Sequence, residues 1–467
     1  MKSAGLLTGA FMAFASLGAG AQTAPASAPP RQTTSASADG LTLEQLEVMA
    51  IANNPTLRQA DAEIAAARGR SRQAGLLPNP TIGYSAEQLG APSSRGPEQG
   101  FFVQQTIPLF GKLGLGRAVF GREATQAELL AESQRLRVIN AVRVLYFQTL
   151  LAERRVEVNE RLAAISREAV GITAQLFNVG AADKPDYLQS EIEERRAQVQ
   201  LTAAHNMRAR SWRELAALVG DPGLMPRSLG GSIEADLPEL ERDPLLRTLL
   251  RDSPELKAAR VAVERNELVV RRARRETMPD LVISAAPRHN PEIIDVGPQG
   301  GRRVGWVASL DVGLTIPLFN RNQGNIAAAR AELDRAQAEV RRLELTLGGR
   351  FADVFEQYLT AVRSAEIYRR DILPRAEEAY QLYLARFREM AAAYPQVLVA
   401  QRTYVEMTNE FLGALETARS SAIQLQGFLL GDGLMSAERP GDPPAGAAGL
   451  GMGSASPMGG RRPGGGD

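Results

Sequence analysis

The sequence predicts a mixed α/β membrane protein in which strand hairpins and long helical hairpins are each given twice by an internal duplication. Three observations carry this. The pentapeptide Thr106-Ile107-Pro108-Leu109-Phe110 recurs as Thr315-Ile316-Pro317-Leu318-Phe319. Each copy stands between an alternating, strand-like stretch and a long proline-free helical one. An export leader opens the chain, and no later stretch has the length and purity of a membrane-spanning helix. A chain of this kind enters a membrane as strands or not at all.

The duplication reaches well beyond five residues. Asn54-Pro55-Thr56-Leu57 is echoed by Ser253-Pro254-Glu255-Leu256, Pro80 by Pro279, Phe177 and Pro185 by Phe387 and Pro395, and Leu218-Val219-Gly220 by Leu429-Leu430-Gly431. The offset grows from 199 at the start to between 209 and 211 later, so about ten residues were gained between Pro279 and the second pentapeptide. Insertions of that kind belong in loops, and landmarks recurring in one order are the mark of a repeat.

Composition sets the outer bounds. With 54 basic and 53 acidic residues the formal net charge is +1, which gives no field to gather nucleic acid. There is no cysteine, and the two histidines are His205 and His289. No thiolate or imidazole metal centre and no cysteine or histidine nucleophile system can be built from these within one chain. The sequence therefore carries no catalytic residue, no cofactor site and no metal site, and reads as a non-enzyme.

Residues 1 to 21 read as a removed signal peptide: Lys2 precedes an apolar run from Ala4 to Ala19, and Ala19-Gly20-Ala21 is the small-residue pattern that precedes cleavage. An uncleaved anchor would need roughly twenty apolar residues, and this run is shorter. No cysteine follows to take a lipid. Residues 22 to 40 form a flexible leader of Ala, Pro, Ser and Thr.

The first repeat spans 41 to 220. A helix from about Pro55 to Leu76 stops at Pro78-Asn79-Pro80, and a strand hairpin follows over 80 to 108. Ile82, Tyr84 and Ala86 share one face of its first strand; Phe101, Val103 and Ile107 lie opposite Gln104 and Thr106 in its second. Period two with one apolar and one polar face suits a strand between two solvents. The polar segment Gly90 to Gly96 is the hairpin loop. From about Leu113 to Phe177 a long helix carries Val138, Val142, Leu145, Thr149, Ala152 and Val156, then Leu162, Ile165, Ala169, Ile172 and Leu176, in steps of four and three. That is the spacing of a coiled-coil seam. Gly180 suits the helix end and Pro185 the first turn of a returning helix that runs through Val219.

A linker over 221 to 253 contains a short helix from about Pro244 to Arg251. The second repeat, 254 to 433, restates the scheme: a helix from Pro254 to Thr277, a strand hairpin over 280 to 317 with its loop from Pro291 to Arg303, and a rod with Val340, Leu343, Leu347, Phe351, Val354, Tyr358, Ala361, Ala365, Tyr368 and Ile372 on one stripe. Pro374 should kink that rod. After the tip, Pro395 opens the second returning helix. Residues 434 to 467 are dominated by Gly, Pro, Ala and Ser and read as a disordered tail.

Four strands close no barrel, and a hairpin pair in a membrane needs every edge satisfied. Three chains supply twelve strands, an even number in the barrel range; two supply eight, too few for an aqueous channel. The competing reading of the hairpins is a pair packed on a soluble core.

Signal, helix, strand hairpin, Ile-Pro-Leu-Phe junction, long helix, Gly/Pro tip and returning helix, all given twice, resemble the TolC-type outer-membrane efflux channels over residues 41 to 433. Asn53-Asn54-Pro55-Thr56-Leu57, Leu76-Leu77-Pro78-Asn79-Pro80 and Gln105-Thr106-Ile107-Pro108-Leu109-Phe110-Gly111-Lys112 look most like the heavy-metal branch of that family, the cobalt-zinc-cadmium and copper-silver type. The resemblance implies a homotrimer whose twelve-stranded β-barrel in outer-membrane lipid continues as an α-helical barrel across the periplasm. It also implies a periplasmic adaptor protein and an inner-membrane pump of the resistance-nodulation-division class as partners, with heavy-metal cations as cargo, or drugs or organic solvents in their place. Nucleic acid is not a partner.

In this reading the tip residues Asn178, Val179, Gly180, Lys184, Pro185, Arg388, Tyr394 and Pro395 meet the adaptor, and Pro108, Phe110, Pro317 and Phe319 mark the strand-to-helix junctions. Asp186 and Gln396, each one place after a tip proline, line the entrance constriction. A trimer would then carry one ring of three Asp186 carboxylates, favouring cations; the plainer reading is that Asp186 sits in a helix's first turn and complements its dipole. His205 with Met207 reads as an exposed pair and not a metal site, and Met435, Met452 and Met458 as filler in and near the tail. Trp306, Phe101, Phe102 and Tyr84 fit an interfacial aromatic belt. The rival classes are a periplasmic adaptor, which would carry one hairpin flanked by Gly-rich β-domains, and a structural coiled coil, which would lack the strands.

Overall fold

A computed structural model describes residues 40–87, 97–180, 182–235, 237–294, 301–389, 394–436 and 439–440. The signal peptide, the leader as far as Asp39, the Gly90 to Gly96 loop, Met452, Met458 and nearly all of the tail lie outside these residues.

Each repeat begins with a short helix broken by proline. Helices α1 (Leu43–Asn53) and α2 (Pro55–Ala74) meet at Asn54, whose side chain caps α2 by accepting from the Thr56 amide at 2.9 Å while its own amide donates to the Leu218 carbonyl. The counterpart is α5 (Arg242–Asp252), which lies in the segment expected as linker but matches α1 at the same offset of 199 as the prolines, followed by α6 (Pro254–Arg275). Pro55 and Pro254 occupy the first helical position, where a missing N–H costs nothing. The short helix expected over 244 to 251 is thus slightly longer, because Glu241 and Ser253 rather than the proline set its ends.

The strands are β1 (Thr81–Glu87), β2 (Glu98–Ile107), β3 (Leu281–Ile294) and β4 (Arg302–Leu314), one antiparallel sheet in chain order. The two hairpins are therefore joined through β2 and β3, with Val103 opposite Ala285 and Ile107 opposite Leu281. The segment 291 to 303, expected as loop, is partly strand: Ile293 pairs with Arg303 and Ile294 with Arg302 beyond a bulge at Asn290/Ile293. Pro291 lies in that bulge, where a residue without an N–H interrupts no ladder bond.

The long helices follow. Helix α3 (Lys112–Asn178) has 67 residues, about 100 Å at 1.5 Å per residue. It returns as α4 (Lys184–Val219). Its counterpart is α7 (Gln323–Ile367), a π-helical turn over Tyr368–Ile372 and α8 (Leu373–Arg388), returning as α9 (Tyr394–Gln426). No described helix is long and apolar enough to cross a membrane.

Just before Pro374, where the sequence predicts a kink, the rod holds this π-helical turn, and the duplication explains it. Upstream, buried Val138 and Val142 of α3 correspond to buried Leu347 and Phe351 of α7, an offset of 209. At the tips, Asn178 and Arg388 end their helices at an offset of 210. The second rod holds one extra residue, and a π turn is how a helix absorbs one. Pro374, which has no N–H to give the preceding turn, stands just after it.

The seams carry most of the core. Val138, Val142, Thr149, Ala152 and Val156 are buried as expected from the spacing, but Tyr146 is buried where Leu145 was expected, and Phe355 joins Leu347, Phe351 and Tyr358. Leu162, Ile165 and Ile172 are only half-buried, since small Ala163, Ser166 and Ala169 let a neighbour approach and turn the larger side chains to the flanks.

The linker is tied to both rods: the Tyr146 hydroxyl donates to the Gly230 carbonyl, and the Tyr358 hydroxyl, one turn beyond the position equivalent to Tyr146, donates to the Pro238 carbonyl. The stretch that leads into the expected disordered tail is held on α3, and so is Met435 at the tail's start. Gln134, buried in α3, donates to the Gly433 and Met435 carbonyls, and Asn140 donates to those of Gly427 and Leu430 at 2.9 Å each.

Candidate functional site

Three regions carry the features the sequence singled out: the sheet, the strand-to-helix junctions and the helical tips.

Cross-strand partners share a face, so the register sorts the sheet into two surfaces. One collects Ile82 opposite Val103, Tyr84 opposite Phe101, Ala285 opposite Leu310, Ile283 opposite Val312 and Leu281 opposite Leu314. Ile82, Phe101, Leu310 and Val312 are more than 60% exposed, a contiguous apolar surface that water would not favour. The other face carries Gln104, Ser284 and Asp311 in one row. Trp306, Tyr84 and Phe101 stand out from the sheet, as a belt requires, whereas Phe102 is half-buried over Gly83, where a Cβ would strike its ring at 2.4 Å. The outer edges of the sheet, β1 and β4, have no strand partner within the described chain.

At the first junction Phe110 and Gly111 both take left-handed backbone, with φ of 58° and 74°, turning the chain from strand into α3. Lys112 is buried; its Nζ lies 2.8 Å from Asp280 Oδ1 and donates to the Met278 carbonyl at 2.8 Å. Pro108 is half-buried. In the second junction Asn322 is the left-handed residue that opens α7, and asparagine tolerates that conformation. Pro317 is half-buried, but Phe319 is 93% exposed.

At the first tip, Gly180 has φ of 74° and its amide donates to the Phe177 carbonyl, the left-handed helix end that glycine adopts without Cβ strain. Asn178, Val179, Gly180, Lys184 and Pro185 are exposed, Val179 at 75%. Asp186 is half-buried in the first turn of α4. At the second tip Arg388 reaches back to Glu168 at 2.6 Å, and Pro395 and Gln396 are exposed.

Tyr394 departs from the expected contact surface: it is 3% exposed and packs its ring 5.7 Å from Phe387, since a phenol this size fills the gap between α8 and α9. Beside it Tyr380, 1% exposed, stacks on Tyr404 and has no hydrogen-bond partner for its hydroxyl among the described residues. Burial pushes both phenols up, to about 12.

Sequence reading missed the pair that ties the two returning helices together. Glu193 of α4, nearly buried, receives Arg402 of α9 and the Gln189 amide. In sequence Glu193 is one carboxylate in the run Glu191 to Arg196, and nothing marks it out. Phe177 and Phe387, matched by name between the repeats, differ: Phe177 is 40% exposed and stacks on Tyr187, while Phe387 is in the core.

His205 is exposed, 4.0 Å from Glu160, and Met207 receives Arg155 instead of joining it. Among the described residues no cluster of three His, Cys, Asp or Glu side chains is arranged to hold a metal ion.

The family described as Outer membrane efflux protein matches this chain twice, over residues 46–221 and 245–431, the two repeats in turn. The cobalt-zinc-cadmium resistance protein CzcC of Cupriavidus metallidurans is 26% identical over 393 residues, covering 83% of this chain and 90% of CzcC. The toluene efflux pump outer membrane protein TtgF of Pseudomonas putida is 24% identical over 397 residues, covering 82% of each. A solved structure of CusC, described in connection with transmembrane channel formation, superimposes with a TM-score of 0.70 at 17% identity, covering 84% of this chain and 92% of that one. With a duplicated fold, an exposed apolar sheet face and a family match over both repeats, the chain belongs to the outer membrane efflux protein family.

Proposed function

We propose that this chain is the exit duct of a tripartite efflux system. Three copies close their twelve strands into a barrel in the outer membrane, and their long helices extend the duct across the periplasm. The carrying observation is the sheet: among the described residues, four strands with two unpaired edges and one exposed apolar face need lipid outside and further strands beside them. The channel performs no bond chemistry. A periplasmic adaptor meets the exposed tips formed by Asn178, Val179, Gly180, Lys184, Pro185, Arg388 and Pro395, and an inner-membrane pump of the resistance-nodulation-division class supplies the energy. The first 21 residues direct export, and no lipid is attached.

The cargo is heavy-metal cations. Support comes from the likeness to CzcC over most of both chains. The second reading, organic solvents or drugs, is favoured by the likeness to TtgF over a similar span. Asp186 at the entrance contributes a ring of three carboxylates, with Gln396 between them.

The deciding experiment compares growth of a deletion strain and its complemented control on cobalt, zinc, cadmium, nickel, copper and silver, with toluene and a hydrophobic drug alongside. Sensitisation to metals alone supports the metal reading. Sensitisation to toluene or the drug alone overturns it in favour of the second.

A further inference from the structure

An open groove of about 670 Å³ runs along α6 between α3 and α7, a volume that suits one small ligand or one short stretch of polymer. Ala258, Ala259 and Ala262 of α6 make a low floor, and the stretch from Leu429 to Asp432 closes one end. Six arginines and three carboxylates line it, so its field is positive.

Some of these arginines are held by the fold: Arg137 pairs with Glu255, Arg342 with Glu339 at 2.6 Å, and Arg350 donates to the Leu429 carbonyl at 2.9 Å. Arg265 is different. Half-buried on α6, it has no ion pair and no hydrogen bond among the described residues, and the side chain of its neighbour Asn266 has none either. The pair of Arg122 with Glu264 at 3.2 Å sets this part of α6 beside the part of α3 that carries Gln126. Gln126 lines the same groove at 8% exposure, and its Oε1 has no donor among the described residues. An acceptor so deeply buried calls for one. The groove therefore offers a guanidinium to an anion and, close by, an oxygen to an N–H or O–H.

Place decides which anion can reach it. The groove opens on the face that carries the added layer, since α1 and the linker pack on Val138, Val142 and Tyr146 of α3, and α5 and Leu429 on Leu347 and Phe351 of α7. A duct keeps its bore clear, so this face is the outer one. Counted from Gln323 at 1.5 Å per residue, Arg335 and Arg350 lie about 18 and 40 Å along α7 from the end nearest the sheet. A headgroup layer reaches only roughly 5–8 Å beyond the hydrocarbon. Lipid phosphates are thus out of range. Among the described residues no aromatic side chain lines the groove, which leaves a folded protein without the anchor such interfaces use and a sugar ring without a face to stack on.

We propose that the groove holds the short acidic peptides of the peptidoglycan layer. Their free carboxylates meet Arg265, their amide N–H groups meet the Gln126 oxygen, and their small methyl side chains lie on the alanine floor. The inference rests on the outer-membrane duct reading, which puts this face in the periplasm, and adds to it an anchor between the duct and the cell wall.

The full-length protein, purified in detergent, is mixed with isolated sacculi and sedimented. Wild type is expected to pellet with them, to be released as salt rises, and to be displaced by a soluble disaccharide-tetrapeptide. Sacculi stripped of their peptides by an amidase should leave it in the supernatant, an arm that uses wild type alone and stands even where a variant unfolds. Arg265→Glu should weaken retention about tenfold, and Gln126→Leu, which keeps the bulk and loses the acceptor, about threefold to tenfold. Unweakened retention of both variants, or of wild type on stripped sacculi, overturns the site. Displacement by polyglutamate as readily as by the disaccharide-tetrapeptide would give the groove to acidic protein segments and overturn the cell-wall assignment. Membrane fractionation and light scattering keep the two readings apart. An outer-membrane trimer that ignores sacculi overturns the anchor alone; a chain found outside the outer membrane overturns the duct and the anchor with it.

Discussion

Lys112 and Asp280, one opening the first long helix and the other ending the second repeat's helix-to-strand turn, meet at 2.8 Å and fasten the first strand-to-helix junction to that turn. The Lys112 side chain is 7% exposed, and its remaining bond goes to the Met278 carbonyl. Lys112→Met takes the charged donor from a carbonyl and from a carboxylate that keeps the Leu109 amide at 3.4 Å, at a cost of about 1–3 kcal/mol, toward the lower end because Asp280 also keeps some contact with water. Thermal unfolding of the solubilised protein should show the loss, with Lys112→Arg nearer to wild type. An unchanged midpoint for Lys112→Met would show the clamp to be energetically idle.

Asn140 binds the chain's C-terminal stretch by donating to Gly427 and Leu430 carbonyls from a side chain 3% exposed. Asn140→Ala leaves both acceptors buried without it, at about 1–3 kcal/mol. The readable consequence is local: limited proteolysis followed by mass spectrometry should find earlier cleavage after Gln426. Cleavage at the wild-type rate would mean that packing alone holds the segment.

The tip phenols make the tip sensitive to alkali. Burial raises the Tyr380 and Tyr394 hydroxyls to about 12 from an unfolded value of 10.0. The native state thus holds their protons more tightly, so their contribution is complete below pH 10 and is lost as pH rises through about 12. Absorbance titration at the phenolate band should show two tyrosines ionising late, together with loosening of the tip. Tyr380→Phe removes a hydroxyl that has no partner among the described residues and should be neutral or stabilising, while delaying the alkaline transition. A strongly destabilised Tyr380→Phe would reveal a bond to that hydroxyl in the assembled protein.

Arg402 and Glu193 join α9 to α4, the two returning helices that line the periplasmic entrance in the proposed duct. Arg402→Ala leaves the Glu193 carboxylate, 11% exposed, without the cation that ties it to α9, only Arg196 of its own helix remaining at 3.8 Å, and should loosen the entrance. Larger single-channel conductance in planar bilayers, and greater sensitivity of cells to a bulky antibiotic, are the expected outcomes. Arg402→Lys should restore most of the closure; equal conductance in all three forms would assign the pair a role in packing only.

Asp186 carries the proposed charge at the entrance. Asp186→Asn should lower cation over anion selectivity and weaken block by divalent cations, and Gln396→Asp should strengthen both, since a ring of carboxylates attracts cations through a constriction. Selectivity that ignores both changes would return Asp186 to its role in the first turn of α4, beside the helix dipole.

The sequence by itself determined the fold's grammar, because its signals are local and were written twice. The pentapeptide pair, the alternation of Ile82 and Tyr84 or Leu310 and Val312, and the spacing of Val138, Val142 and Val156 each report a backbone period that needs no distant partner to be read. Tertiary structure decided what those elements meet. Joining of the hairpins through β2 and β3, the burial of Tyr394 at a tip that was expected to present it, the Glu193 and Arg402 pair, and the capture of Gly433 and Met435 by Gln134 all depend on residues far apart in the chain. The π-helical turn shows both at work: the extra residue is countable in the sequence, but only the packed rod, holding its seam in register on both sides, forces that residue into a wider turn before Pro374.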